Sequence, residues 1–195
     1  MEYLFLDIET VPLEINDEFI MRYLMDKKLT DAARSLNPHY SRIIVIGLKY
    51  NNEVRLLTGD EKEILTQFWD FMKTNNSVIV THNGYKFDIP FIIIRSMINN
   101  LRVSKEINLN HWNMLKSNHL DTMIIFSQNV FTNPNLKVLA KLNNIEFIDE
   151  GITGKDVERL WKENNLEKIK EHCKNDIETL EKLFNSKCRG YIEKL

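Results

Sequence analysis

Apolar and polar positions along this chain fall into blocks of different period. The run from Tyr3 to Ile8 is apolar except for Asp7, the pattern of a buried strand. Residues 16–29 carry apolar positions at helical spacing, and Asn37-Pro38 marks a turn behind them. Residues 42–50 and 53–59 read as two strands separated by Asn51 and Asn52, an antiparallel hairpin. Residues 60–72 begin with acids and place Ile64, Leu65, Phe68, Trp69 and Met72 on one stripe, as an amphipathic helix does. A short buried strand follows at 77–83, then a helix over 87–98 with Pro90 in its first turn. Further helices are predicted at 121–128, 135–142 and 155–164, and a long one at 166–184, whereas 99–118 fits no template. One crossover from the hairpin to the strand at 77–83, with helices mixed in later, predicts a mixed α/β sheet covered by helices.

Two acids break the first block. Glu9 follows Asp7 by two residues, so both side chains point to one face of the strand and repel each other. Burying an uncompensated carboxylate costs several kcal/mol. Other acids fall where they can join this pair. Asp88 stands where a buried strand ends and a helix begins, a place that lines ligand crevices in α/β folds, and it is expected to cap that helix as well. Asp176 lies on the last helix with His172 one turn ahead, both flanking the apolar stripe Ile169, Cys173, Ile177, Leu180 and Phe184. Carboxylates at strand ends and on a bordering helix hold hard divalent cations, and a shared ion turns the Asp7–Glu9 repulsion into attraction. Two such ions about 4 Å apart clamp the attacking and leaving oxygens in phosphodiester hydrolysis.

These residues carry a resemblance. The stretch "FLDIET" resembles the D-x-E motif of the DEDD exonucleases in the DnaQ-like, RNase H-fold superfamily. "HNGYKFD" resembles their second motif, and "HCKND" the third motif of the branch related to the proofreading domain of family-B DNA polymerases. "NPHYSRIIVIGL" and the segment from Gly151 to Asp176 also look like the stand-alone members of that branch, so the resemblance runs from Tyr3 to about Phe184. It implies an RNase H-like mixed sheet, an antiparallel meander plus parallel strands, flanked by helices and forming one exonuclease domain over residues 1–195. It also implies a 3'-5' exonuclease that uses two ions, Mg²⁺ or Mn²⁺, and releases nucleoside monophosphates from a single-stranded 3' end, DNA being favoured over RNA. Asp7, Glu9 and Asp176 would hold the catalytic ion, with Asp7 bridging to a second ion held by Asp88. Asn83 and Phe87 would shape the terminal-nucleotide pocket, Phe87 more by packing than by contact, and Thr10 would join them in binding the substrate. In that branch the third motif usually reads Tyr-x-x-x-Asp; here His172 takes the tyrosine's place. The sister branch uses histidine with one more residue before the Asp. An imidazole can accept a proton near neutral pH, so His172 is the candidate general base. The alternatives are an exoribonuclease and a non-catalytic nucleic-acid-binding module, and the module would be expected to lack one of the acids.

Composition changes this picture little. A net charge of -2 announces no cationic surface, though a cleft need not dominate the total. Cys173 and Cys188 have no Cys/His partners at zinc-site spacing and read as thiols in a reducing compartment. Neither a signal peptide nor a membrane span is visible, so a soluble, cytoplasmic protein is expected. Trp112, with Arg102, Lys105 and Lys116 near it, suits a base-stacking platform or a core position equally. Local hydrogen bonding is expected of His82, an ion pair of Arg95, a helix cap of Asp121, and a turn and helix start of "GITGKD".

Overall fold

The computed structural model describes residues 1–110, 114, 116–127, 134–148 and 151–194. Five strands form one sheet in the order β3-β2-β1-β4-β5. They are β1 (Tyr3–Pro12), β2 (Ser41–Tyr50), β3 (Glu53–Thr58), β4 (Val78–Thr81) and β5 (His119–Asp121). The first three make an antiparallel meander, and β4 and β5 run parallel to β1. This is the RNase H-like mixed sheet expected. Asn51 and Asn52, both at positive φ, turn β2 tightly into β3, the backbone that a two-residue hairpin needs.

Alternation along β1 sorts the two faces. Leu4, Leu6 and Ile8 pack with Ile46 and Leu48 against α3 (Glu61–Thr74) and α4 (Asp88–Ile98). Tyr3 and Phe5 point the other way, edge-on to Phe184 at 4.7 and 5.7 Å between ring centroids. That face is covered by α8 (Leu166–Leu183), with α5 (Thr122–Ser127), α6 (Leu136–Leu142) and α7 (Val157–Lys162) around it. Helices α1 (Glu18–Asp26) and α2 (Asp31–Ser35) join β1 to β2, and a π-helical turn at Phe184–Cys188 leads into α9 (Arg189–Ile192). Among the described residues no helix is long and apolar enough to cross a membrane.

Three expectations need correction. The strand β5 was not foreseen, since three residues are too few for an alternation to show. The first strand extends past Ile8 to Pro12, because β2 pairs with it all the way. Asp88 does not cap α4: Phe87 holds the cap position and Asp88 is the first helical residue.

Arg95 forms the ion pair expected, with a partner that fixes the sheet. Glu61 accepts from Arg95 Nε at 2.8 Å and from Nη2 at 2.6 Å, while Asn99 donates to it at 3.0 Å. The same carboxylate accepts from Ile43 N at 2.8 Å. Ile43 borders a bulge in which Glu9 faces Val45 but Thr10 faces Ile43, leaving Ile44 over. Removing one partner strands a buried charge, so Glu61→Ala should cost roughly 3–5 kcal/mol in denaturant unfolding. Adding Arg95→Met should recover part of that loss; a double variant no more stable than the single one would show that the charge is not the cause.

Candidate active site

The bulge lies beside the two acids of β1. Asp7 and Glu9 follow Tyr3 and Phe5 on the α8 face, so the strand delivers them beneath that helix. Their height relative to α8 depends on Gly47, which pairs with Asp7 across the sheet. A Cβ there would lie 2.2 Å from Ile177 Cδ1 and 2.6 Å from Cys173 Sγ, both in fully buried residues. The missing side chain lets α8 settle onto the sheet at this point. Its apolar stripe is buried as expected, and His172 and Asp176 flank it at the rim of a cleft.

The cleft has a volume of about 380 Å³. Asp7, Glu9, Thr10, Phe87, His172 and Asp176 all line it. His172 Nε2 stands 3.8 Å from Glu9 Oε1 and 3.9 Å from Asp176 Oδ2, between the acids of strand and helix. Thr10 Oγ1 donates to Ser35 O at 2.7 Å, tying β1 to α2. Helix α2 supplies one wall through Ala32 and Ala33, and Gly154 and Lys155 supply the other. That wall contains the turn of "GITGKD", whose expected place ahead of a helix holds. Sequence reasoning did not assign a role to α2 or Lys155, since nothing in a short helix or a turn lysine announces a cleft. Nor did it single out Lys137, whose Nζ lies 3.5 Å from Asp176 Oδ1.

Asp88 comes from the start of α4 and is 3% exposed. The backbone N–H groups of Asp88 itself and of Ile8, the residue between Asp7 and Glu9, favour the charged form of its carboxyl. The edge of β1 is open here because pairing with β4 stops at Phe5. Among the described residues Asp88 Oδ1 has no hydrogen-bond partner. Burial foremost, then the charge of Asp121, pushes the Asp88 carboxyl up to about 7 against the pull of those backbone groups. Asp7 is raised well above the usual carboxylate range, by burial first and then by Glu9, Asp88 and Asp176.

The loop ahead of Asp88 hangs from Asp121. Asp121 accepts from Asn83 N at 2.9 Å, Tyr85 N at 3.1 Å and Met123 N at 2.9 Å. The last of these bonds is the helix cap expected; the other two fix the second motif. Asn83 adopts φ 70°, and Gly84 is crowded so closely that a Cβ would lie 2.2 Å from Thr81 Oγ1. Tyr85 stacks on His119 with centroids 4.4 Å apart. Asn83 thus shapes the loop, and it is not among the residues lining the cleft. His82 bonds locally as expected, to Thr122 Oγ1 and Pro134 O at 2.8 Å each. Trp112 lies outside the described residues.

The site thus belongs to an RNase H-like fold that draws Asp7, Glu9, Asp176 and His172 to one cleft, while Asp88 is buried and is not among the residues lining it. Residues 30–181 match the family described as predicted 3'-5' exonuclease related to the exonuclease domain of PolB, and the chain belongs to that family. The matched span begins after Asp7 and Glu9. Among solved structures, the family B DNA polymerase from the hyperthermophilic archaeon Pyrobaculum calidifontis shares the fold, with a TM-score of 0.71 and 14% identity over 95% of this chain. The chain spans 24% of that polymerase. No curated protein matches it.

A carboxylate whose folded value is raised favours the neutral form. The contribution of Asp88 to stability is therefore full below its ordinary 3.8 and is lost as pH rises through about 7. A cation taken up by Asp88 would have to displace that proton. Affinity for Mg²⁺ or Mn²⁺ should consequently increase with pH through this window. Calorimetry in buffers of differing ionisation enthalpy should register proton release at mildly acidic pH, and its absence there would contradict the protonated state.

Proposed function

We propose that this protein is a divalent-metal-dependent exonuclease that removes nucleotides from the 3' end of single-stranded nucleic acid, with DNA as the favoured substrate. The observation that carries the reading is the meeting of Asp7, Glu9, His172 and Asp176 in one cleft, with the buried Asp88 close enough for its charge to act on Asp7. All four acids of the family pattern are present, which argues against a binding module that has lost catalysis.

The donor set suits Mg²⁺ or Mn²⁺, which take carboxylate oxygens. The partnerless Asp88 Oδ1 is the kind of buried acceptor that such an ion would satisfy. Asp7, Glu9 and Asp176 would hold one ion and Asp7 and Asp88 a second. When bound, the ions supply Lewis-acid stabilisation of the charge that develops on the phosphoryl group. His172, set between Glu9 and Asp176, accepts the proton of the attacking water. Phe87 and the small residues of α2 form an apolar wall for the terminal base, and Lys155 opposite them suits a backbone phosphate. Asn83 and Thr10 act on the terminal nucleotide by holding loop and strand in place.

A 3'-labelled or 5'-labelled single-stranded oligonucleotide should shorten from its 3' end with Mg²⁺ or Mn²⁺ and remain intact in excess chelator. Asp7→Asn should abolish nearly all cleavage while the protein stays folded. Cutting of a closed circular strand at a comparable rate would point to an endonuclease instead, and faster loss of an RNA ladder than of DNA would reassign the substrate.

His172→Ala should lower the rate by about 10²–10⁴ at saturating metal, the usual weight of a positioned base. His172→Tyr should restore part of it. A rate within a few-fold of wild type for His172→Ala would leave activation of the water to the ions alone.

A further inference from the structure

Cys173 packs directly below the two acids of β1. Its side chain is fully buried, and its Sγ lies 3.9 Å from the backbone oxygen of Asp7. More telling is its relation to the side chains: Sγ and one carboxylate oxygen each from Asp7 and Glu9 lie within 4.8 Å of one another. Gly47 opposite supplies the room for the sulfur. Asp88, 3% exposed and with Oδ1 lacking a hydrogen bond among the described residues, adds its charge to Asp7 from the adjoining helix. Filling the space above Gly47 needs no sulfur. The thiol also donates to the backbone oxygen of Asp7, which sets the sulfur beside the two acids.

We propose that Asp7, Glu9 and Cys173 form a mixed oxygen–sulfur site for a thiophilic divalent cation, Zn²⁺ or Cd²⁺, which overlaps the hard-ion position and blocks it. The inference rests on the metal-binding part of the function proposed above. Magnesium gains nothing from sulfur and stays on the carboxylates. Zinc and cadmium favour thiolate, so they draw Cys173 into the coordination shell; a metal–sulfur bond forms and the thiol proton passes to solvent. The same two acids then serve either ion but not both. The identity of the ion decides whether the site is ready for hydrolysis or closed by a tighter ligand set.

Cadmium alone is the probe, because a cadmium thiolate has an ultraviolet charge-transfer band that carboxylates do not give. Titrating the ion-free protein should develop this band in the wild type and in Cys188→Ser, and excess Mg²⁺ should suppress it. Cys173→Ser and Cys173→Ala should lose the band and bind Cd²⁺ at least tenfold more weakly, given that losing even an outer partner of a ligand costs about 10–100-fold. A band that survives in the Cys173 variants, its absence from the wild type, or indifference to Mg²⁺ would each overturn the proposal. Should both Cys173 variants fail to fold, Cys188→Ser still decides, since the chain has 2 cysteines and only Cys173 then remains. A protein with the band but without exonuclease activity would count against the proposed function and leave the mixed site standing.

Discussion

Repulsion among carboxylates is the constraint on which this structure turns. At the effective permittivity of a protein, two like charges about 4 Å apart cost about 4 kcal/mol. Burial foremost, with the neighbouring carboxylates adding to it, raises Asp7 and Asp88 above the usual carboxylate range. The surrounding fold keeps the acids in place against this repulsion. Strand β1 is clamped to β2 from Phe5 to Pro12, α8 is seated by the absent side chain of Gly47, and Asp88 is buried at the start of α4. The charge of Lys137 relieves the repulsion beside Asp176. A cation shared among the acids would relieve it for all of them.

Much of this was legible in the residues. Alternation identified β1, the hairpin and the amphipathic helices α3 and α8, because each buries a whole face with a regular period. Those elements carry Asp7, Glu9, His172 and Asp176, so most of the site could be read with them. The remainder is built from contacts without periodicity. Strand β5 spans three residues, yet its last one, Asp121, holds the loop that precedes Asp88. Its capping role could be foreseen from its place before a helix. Its grip on Asn83 and Tyr85, far earlier in the chain, could not. The walls of the cleft were hidden for the same reason, since Ala33 and Lys155 become neighbours only once β1 and α8 are in position.

His172 shows how local geometry can reconcile two family patterns. Four residues ahead of Asp176 on a continuous helix, it faces the same cleft one turn away, within 4 Å of both Glu9 and Asp176. A histidine arriving from a loop would need its own support to reach such a position. Here the helix gives that support, and its buried stripe fixes the orientation of the ring's neighbours.

The two halves of the cleft come from opposite ends of the described chain: Asp7 and Glu9 from the first strand, His172 and Asp176 from the long helix α8. During synthesis the meander of β1 to β3 can form as soon as it emerges, whereas α8 is made much later. A nascent or truncated chain that lacks α8 therefore carries three of the four acids proposed as ligands, without Asp176 and His172 to complete the cleft. An ion held by both halves would bridge nearly the whole described length, closing a loop whose entropy the unfolded chain would otherwise keep. Under the proposed function, catalytic competence would become a report on completed folding: a nuclease assembled this way would stay silent until the fold that restrains it had closed.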